Sequence, residues 1–421
     1  MSGRAPSAPN GGMPQARGIE PDAGEIGPVR PEDRVKLIDV LRGFALLGIL
    51  VVNWNWASGT SADWITFVAE GSFYPMFSFL FGLGFALQLM RAERAHRPFV
   101  ARYVWRSALL LGIGVFHAGF ISSGDILRPY AILAIVLLVV RRWHPRVLVA
   151  MAAVFLLFAA SPTSEYLRPG RFLMRPDPEQ AGLERARELA DHWERRAQVA
   201  GIVGSVPALP REYREQLTRM IPAALTTFAW PLRPNWWRGV GDILCMFLLG
   251  LWAGRRRILE DPHTHTRLLV AIGVVGLLVG VLGNGVDTFR DTFQSIGVSV
   301  PTALQPWALA YELGNIGLTA FYLAILTLLY TRVPWAARVL ALLGWAGRVA
   351  LTNYLLQSVM FDVVFPYGFG DLPVLLGFFG LQVLCSGLWL KWFRFGPVEW
   401  FWRSLTWWRW QPMRRSPAPA V

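Results

Sequence analysis

The first apolar run of the chain, residues 36–55, is long enough to cross a bilayer core, which takes about 20 apolar residues in a helix. It has an acid, Asp39, and a base, Arg42, near its beginning, and two amides, Asn53 and Asn55, at its end. An ionised group at the centre of a membrane helix costs about 2.5–3.5 kcal/mol. Asp39 and Arg42 stand three residues apart, so we expect them to pair on one face and lower that cost. The run therefore predicts a membrane helix that also carries polar chemistry.

About ten apolar segments follow one another along the chain, and only 16% of its residues are charged. Because a soluble chain of this length would need a charged surface, the composition predicts an all-α polytopic membrane protein with about ten transmembrane helices. The predicted segments are residues 37–56, 72–91, 103–122, 126–141, 146–162, 240–256, 267–284, 306–330, 344–362 and 373–393.

Basic residues collect at alternate ends of these segments. If ten helices alternate in direction, all the basic stretches fall on one side of the membrane, and acids such as Asp63, Asp125 and Asp287 fall on the other. Loops rich in arginine stay in the cytoplasm. We therefore expect a multi-pass protein of the bacterial inner membrane with both termini cytoplasmic. The basic stretches are residues 91–106, 141–146, 255–257 and 332–348 and the tail from residue 391.

The formal net charge of +13 could also indicate nucleic-acid binding. The basic residues, however, lie in short loops between apolar segments and form no continuous stripe. We therefore expect the lipid bilayer, and no nucleic acid, as a partner. The sequence has no phosphate-binding glycine loop, dinucleotide fingerprint or metal-type cysteine spacing, so we expect neither a bound cofactor nor a metal.

The chain divides into five parts by composition. Residues 1–33, rich in Pro, Gly and Ala, predict a disordered cytoplasmic tail. Residues 34–162 hold the first five predicted spans, and residues 239–410 hold the other five. Between them, residues 163–238 form a polar insertion that the alternation places outside the cell. Residues 411–421 form a short basic tail.

Of the six histidines in the sequence, His117 is the one that lies inside a predicted span, near the outer end of the third span. An imidazole can act as a general base at neutral pH, and Asp125, eight residues on, could orient it. The alternative is a structural histidine bonded to a neighbouring helix. Asp125 and Asp242 each follow a glycine at the start of a predicted helix. They could cap those helices or face a shared outer vestibule.

The ninth segment has polar residues at helical spacing. Arg348 and Asn353 lie about one turn apart, and Asn353 and Gln357 lie four residues apart, which predicts one polar stripe through the membrane. Glu312 of the eighth segment could line the same interior. Two interpretations remain open, a polar cavity and interhelical packing.

Five stretches of the chain together resemble one bacterial family, the YeiB-like membrane proteins, or domain of unknown function 418. The resemblance covers about residues 34–410. It rests on Leu-Ile-Asp39-Val-Leu-Arg42-Gly43, Tyr74-Pro-Met-Phe-Ser78, Gly124-Asp125-Ile-Leu127, Gly347-Arg348-Val-Ala-Leu-Thr352-Asn353-Tyr354 and Arg394-Phe-Gly396-Pro397-Val-Glu399-Trp400.

The first helix of that family is similar to the first helix of ten-helix transmembrane acyltransferases. This similarity implies an acyltransferase-like bundle that passes an acyl group from a cytoplasmic donor such as acyl-CoA to a cell-envelope acceptor. Acyltransferase-3 proteins have a histidine at the position of Asn53, whereas the lysosomal type has an asparagine there. His117 is therefore assigned as general base from its position, with Asp125 as its orienter.

If the protein is an acyltransferase, we expect roles for other polar residues of the chain as well. Asn53 and Asn353 would donate hydrogen bonds to a developing oxyanion. Asp39, Arg42 and Arg348 would hold the phosphates of the donor, or the fold itself.

Two further functions are compatible with the sequence. In a transporter, Arg348, Glu312, Asn353 and Gln357 would bind a small polar solute in a central cavity. In a scaffold without chemistry, the same residues would serve packing only.

Overall fold

A computed structural model of the chain describes residues 35–58, 63–122, 125–160, 236–288, 306–361 and 370–415. Within these ranges the chain is all-α and has no β-strand. The predicted tail 1–33 lies outside the described residues, and so does the predicted insertion up to residue 235.

Thirteen helices lie in the described ranges, and each predicted segment overlaps one of them except the ninth, which is divided between two. The structure also contains two short helices that we did not predict, α2 and α13. The helices are α1 Lys36–Ser58, α2 Asp63–Val68, α3 Phe73–Arg94, α4 Val100–Phe120, α5 Leu127–Val140, α6 Pro145–Ala159, α7 Trp236–Arg255, α8 Thr266–Thr288, α9 Pro306–Arg332, α10 Pro334–Arg348, α11 Ala350–Val359, α12 Leu372–Trp392 and α13 Pro397–Thr406.

By length and composition, five stretches of the described chain could each cross a membrane, and α10 with α11 would make a sixth if that bent pair is one span. Helices α5 and α6 are apolar but shorter. The five stretches are Lys36–Asn55, Trp64–Arg94, Thr266–Gly285, Leu309–Arg332 and Leu372–Trp392. These helices are compatible with a membrane protein.

The outer surface of the bundle supports this interpretation. Helices α8 and α12 direct large apolar side chains outward, among them Val274, Leu282 and Leu384, which are 54%, 68% and 59% exposed. A soluble monomer rarely exposes an apolar surface of this extent. This surface is compatible with a protein that lies in hydrocarbon.

The ninth predicted segment is broken at Val349, so the prediction of one continuous polar stripe was wrong. Helix α10 ends at Arg348, and α11 begins at Ala350 after a bend of 75°. Arg348 and Asn353 therefore belong to different helices. A break inside an apolar stretch leaves the first N–H groups of the new helix without partners. Here a distant part of the chain supplies the acceptors for these N–H groups, and the local sequence gives no sign of those acceptors.

The end of α10 lies directly on the beginning of α1. A Cβ atom added to Gly347 would overlap the backbone oxygen of Asp39, and one added to Gly43 would overlap the oxygen of Leu343. Only glycine allows two helices to approach so closely. This contact brings Arg348 to the same end of the bundle as Asp39.

Candidate functional site

His117 and Asp125 form a buried pair between α4 and α5. His117 Nδ1 lies 3.0 Å from Asp125 Oδ1, and both side chains are fully buried. The same carboxylate accepts hydrogen bonds from the backbone N–H groups of Leu127 and Arg128, at 3.1 and 2.9 Å, and from Arg128 Nε at 3.0 Å. Of the two roles considered for Asp125, the structure shows the first: its carboxylate caps the beginning of α5, and it also holds the His117 ring.

The other ring nitrogen of His117 has no partner. Nε2 is buried and makes no hydrogen bond to any described residue. The carboxylate accepts the hydrogen on Nδ1, which leaves Nε2 as the nitrogen that can exchange a proton. The His117 ring lies 5.3 Å from the ring of Tyr354 of α11. An imidazole that is held at one ring nitrogen and unbonded at the other has the arrangement that a general base requires.

Asp242 does not cap a helix, so the first of the two roles considered for it is excluded. Helix α7 begins at Trp236, a turn earlier than the apolar pattern indicated, so Asp242 lies inside it. The hydroxyl of Tyr74 donates a hydrogen bond of 2.6 Å to Asp242 Oδ2. Glu312 of α9 also acts electrostatically on Tyr74. Glu312 therefore acts on the same tyrosine as Asp242.

The amides of α11 form a buried network between α11 and α12. Asn353 Nδ2 donates to the oxygens of Ala346 and Ser386, at 3.1 and 3.0 Å. Gln357 Nε2 donates to Gln382 Oε1 at 2.9 Å, and Gln382 Nε2 donates to the backbone oxygen of Asn353 at 3.1 Å. The network is an interhelical packing contact. A single glutamine and a single serine in the apolar α12 gave no sequence signal for it.

The predicted pair at the beginning of α1 is present. Arg42 Nη1 lies 3.5 Å from Asp39 Oδ1, and the Asp39 side chain is buried. Nearby, Arg348 Nη2 donates to the backbone oxygen of Arg394 at 3.2 Å. Asn53, at the other end of α1, is exposed and takes no part in the His117 pair.

Arg106 is a member of this region that we did not single out. Helix α4 begins at Val100, which places Arg106 in the helix rather than in the preceding loop. Its guanidinium lies 3.8 Å over the ring of Trp402, and Trp402 Nε1 donates to the Arg106 oxygen at 3.0 Å. The charge of Arg42 also acts on Arg106, and no carboxylate of the described chain pairs with it. Two arginines whose charges act on each other favour an anion near them.

Glu399 of α13 supplies the partners for the beginning of α11. Glu399 Oε1 accepts the backbone N–H groups of Leu351 and Thr352 at 2.6 and 3.0 Å, and Oε2 accepts the Thr352 hydroxyl at 2.5 Å. Burial raises the pKa of Glu399, and these hydrogen bonds oppose that shift. Gly396 is required here because a Cβ would meet both Glu399 and Thr352.

Helix α11 therefore joins two groups of polar residues. Its first turn is held by Glu399 beside Arg348, and its Tyr354 packs on His117. Leu351 and Tyr354 are roughly 5 Å apart along the helix axis. We define the candidate site as the His117–Asp125 pair together with the basic foot, which consists of Asp39, Arg42, Arg106 and Arg348.

Comparison with known proteins gives consistent results over the chain. The uncharacterized protein YxaH of Bacillus subtilis is 30% identical to it, over 93% of this chain and 98% of the relative. The uncharacterized protein YeiB of Escherichia coli is 26% identical, over 92% and 98%. The family described as "Protein of unknown function (DUF418)" matches residues 253–409. The chain belongs to the DUF418 family. An uncharacterized 39.9 kDa protein in the amylase 3' region of Bacillus acidopullulyticus is also similar, at 25% identity over 90% and 96%.

The DUF418 match covers α8 to α13 and hence Tyr354, Arg348 and Glu399. His117 and Asp125 lie before it, in the other half of the chain. The candidate site is therefore assembled from both halves of this DUF418 protein.

Replacing Glu399 by alanine is expected to lower the free energy of unfolding by roughly 1–3 kcal/mol, because the N–H groups of Leu351 and Thr352 lose their acceptor. Thermal or denaturant unfolding of the purified protein measures this. Glu260→Ala, at an exposed carboxylate, serves as the control and is expected to change little.

The pH dependence of this contact follows from the raised pKa of Glu399. Wild-type stability is highest while the group is protonated and falls as the pH rises through its folded pKa. Glu399→Gln does not titrate, so its stability relative to the wild type is expected to increase with pH. If the difference in unfolding free energy between the two proteins stays constant as the pH rises through the folded pKa of Glu399, this assignment is wrong.

Proposed function

We propose that this DUF418 protein transfers an acyl group from cytoplasmic acyl-CoA to a hydroxyl-bearing cell-envelope acceptor on the outer side of the bacterial inner membrane. The observation that carries the proposal is the buried His117–Asp125 pair with a free Nε2. A histidine that served packing alone would be expected to use both ring nitrogens, since an unsatisfied buried polar atom is costly.

The proposed orientation has ten membrane crossings and both termini in the cytoplasm. It is supported by direct contacts at one end of the bundle. They join three of the five basic stretches to one another and the other two to each other, and Arg332 reaches the beginning of α8, shortly after the stretch 255–257. Because arginine-rich ends stay in the cytoplasm, this end faces the cytoplasm. The contacts are Arg102 over Trp407, Arg348 to Arg394, Arg332 to Thr266 and Arg255 to Trp143.

The basic foot lies at that cytoplasmic end, where an acyl-CoA arrives. Arg42, Arg106 and Arg348 supply positive charge for its phosphates, and Asp39 holds Arg42 in place. Arginine suits this role because its planar group binds phosphate oxygens in pairs.

In the proposed reaction, His117 Nε2 removes the proton from the acceptor hydroxyl as the oxygen forms a bond to the acyl carbon. The bond between that carbon and the sulfur of CoA breaks. The leaving thiolate takes up the proton from His117. Asn353 has no oxyanion role in this scheme because Ala346 and Ser386 already accept from its amide.

Purified full-length protein in sealed vesicles tests the proposal. Labelled acetyl-CoA is added outside, and glucose, glucosamine and glycerol are trapped inside as probe acceptors. We expect label to appear on an enclosed acceptor together with free CoA outside. Passage of an unmodified acceptor across the membrane, without any acylation, would instead support the transporter interpretation and overturn this one.

A further inference from the structure

The last described stretch of the chain exposes an unusual set of side chains on the proposed cytoplasmic side. Trp408, Trp410 and Trp392 are 79%, 66% and 62% exposed. The arginines between and after them are also exposed, and no carboxylate of the described ranges pairs with them. We call this the C-terminal cap surface, formed by Trp392, Trp408, Arg409, Trp410, Arg414 and Arg415.

The surface is held in a fixed shape. Trp408 stacks on Trp105 of α4 with ring centroids 4.9 Å apart, and Trp410 stacks on Trp400 of α13 at 5.2 Å. The indole N–H of Trp400 donates to the Gln411 oxygen at 2.7 Å.

The backbone of the tail is fixed as well. Arg415 N donates to the Trp392 oxygen at 2.9 Å, and Arg394 N donates to the Met413 oxygen at 2.8 Å. The backbone therefore presents the tryptophans and the arginines together, and two of the indole rings are already ordered before binding.

The chemistry of this surface selects its partner. Exposed indoles are stable at a membrane–water interface, where the ring lies among acyl chains and the N–H meets ester or phosphate oxygens. The N–H groups of Trp408 and Trp410 have no acceptor within the described residues. Three neighbouring arginines add a positive charge that attracts anionic headgroups.

We propose that the C-terminal cap surface binds the headgroups of anionic phospholipids in the cytoplasmic leaflet. The proposal rests on the cytoplasmic position of the C-terminus given above and not on acyl transfer.

The experiment titrates purified full-length protein in detergent with phosphatidylglycerol or phosphatidylcholine and follows the unfolding temperature. Phosphatidylglycerol is expected to raise it and phosphatidylcholine to have little effect. A variant with Arg409→Gln, Arg414→Gln and Arg415→Gln is expected to need on the order of 100-fold more phosphatidylglycerol, at about five-fold per arginine.

The matched control removes the same charge elsewhere on the proposed cytoplasmic side, with Arg142→Gln, Arg146→Gln and Arg267→Gln, all exposed. It is expected to respond like the wild type. If this control loses its response to phosphatidylglycerol to the same extent, the effect is one of diffuse charge, and the proposal is overturned. Stabilisation by inorganic phosphate alone would identify a phosphate site, and an equal response to both lipids would exclude headgroup recognition; either result also overturns it.

Discussion

Replacing His117 by asparagine is expected to reduce acyl transfer by about 10²–10⁴-fold, the range that a positioned general base contributes. Asparagine has no lone pair of comparable basicity, so the acceptor hydroxyl keeps its proton as its oxygen attacks. The measurement is label transferred per molecule of protein in the vesicle assay.

The variant is expected to fold, which makes the result interpretable. Asp125 keeps the N–H groups of Leu127 and Arg128 and the Arg128 guanidinium as partners when the imidazole is removed. The unfolding temperature should therefore change little.

The matched control is His263→Asn, in an exposed turn where the backbone oxygen of His263 accepts a hydrogen bond from the Thr266 hydroxyl. It should keep wild-type activity. Full activity of His117→Asn would refute the assignment of His117 as the base, even if acyl transfer itself were real.

Replacing Gly347 by valine is expected to lower the free energy of unfolding by about 3 kcal/mol or more, at the upper end of the range for overpacked sites. The new Cβ would overlap the backbone oxygen of Asp39 and approach Gly43 N, and backbone atoms cannot move away without moving a helix. Helix α10 would have to separate from α1, which also displaces Arg348. Denaturant unfolding of the purified protein gives the value.

Gly344→Ala is the control for this prediction. It lies on the same helix one turn away, and its Cβ would make an ordinary contact of 3.5 Å with Val40. We expect it to be neutral or slightly stabilising, because alanine favours helix more than glycine does. A Gly347→Val variant as stable as this control would show that α10 does not lie on α1 as described.

The sequence alone predicted most of the helices and part of the local chemistry. Apolar runs and basic stretches are properties of neighbouring residues, so they could be found without the fold. The Asp39–Arg42 pair and the Asp125 cap also depend on residues three apart or fewer. Asp125 could be placed near His117 because only eight residues separate them.

The contacts that the sequence did not predict join distant parts of the chain. Glu399 caps a helix that begins 49 residues earlier, at Ala350, and Arg106 meets Trp402 across 296 residues. The division of the polar stripe at Val349 depends on Glu399 as well, since the break needs an outside acceptor for its N–H groups.

Helix α1 shows the same division between what local sequence and tertiary structure determine. Its length and its Asp39–Arg42 pair were fixed by local sequence, because bilayer thickness and helix periodicity act on neighbouring residues. Which residues meet it was decided by tertiary structure alone. Gly43 allows α10 to lie on it, and Arg42 thereby becomes part of a basic foot drawn from α1, α4 and α10. Such close packing depends on the shapes of both helix surfaces. The sequence of one helix does not predict which surface will pack against it.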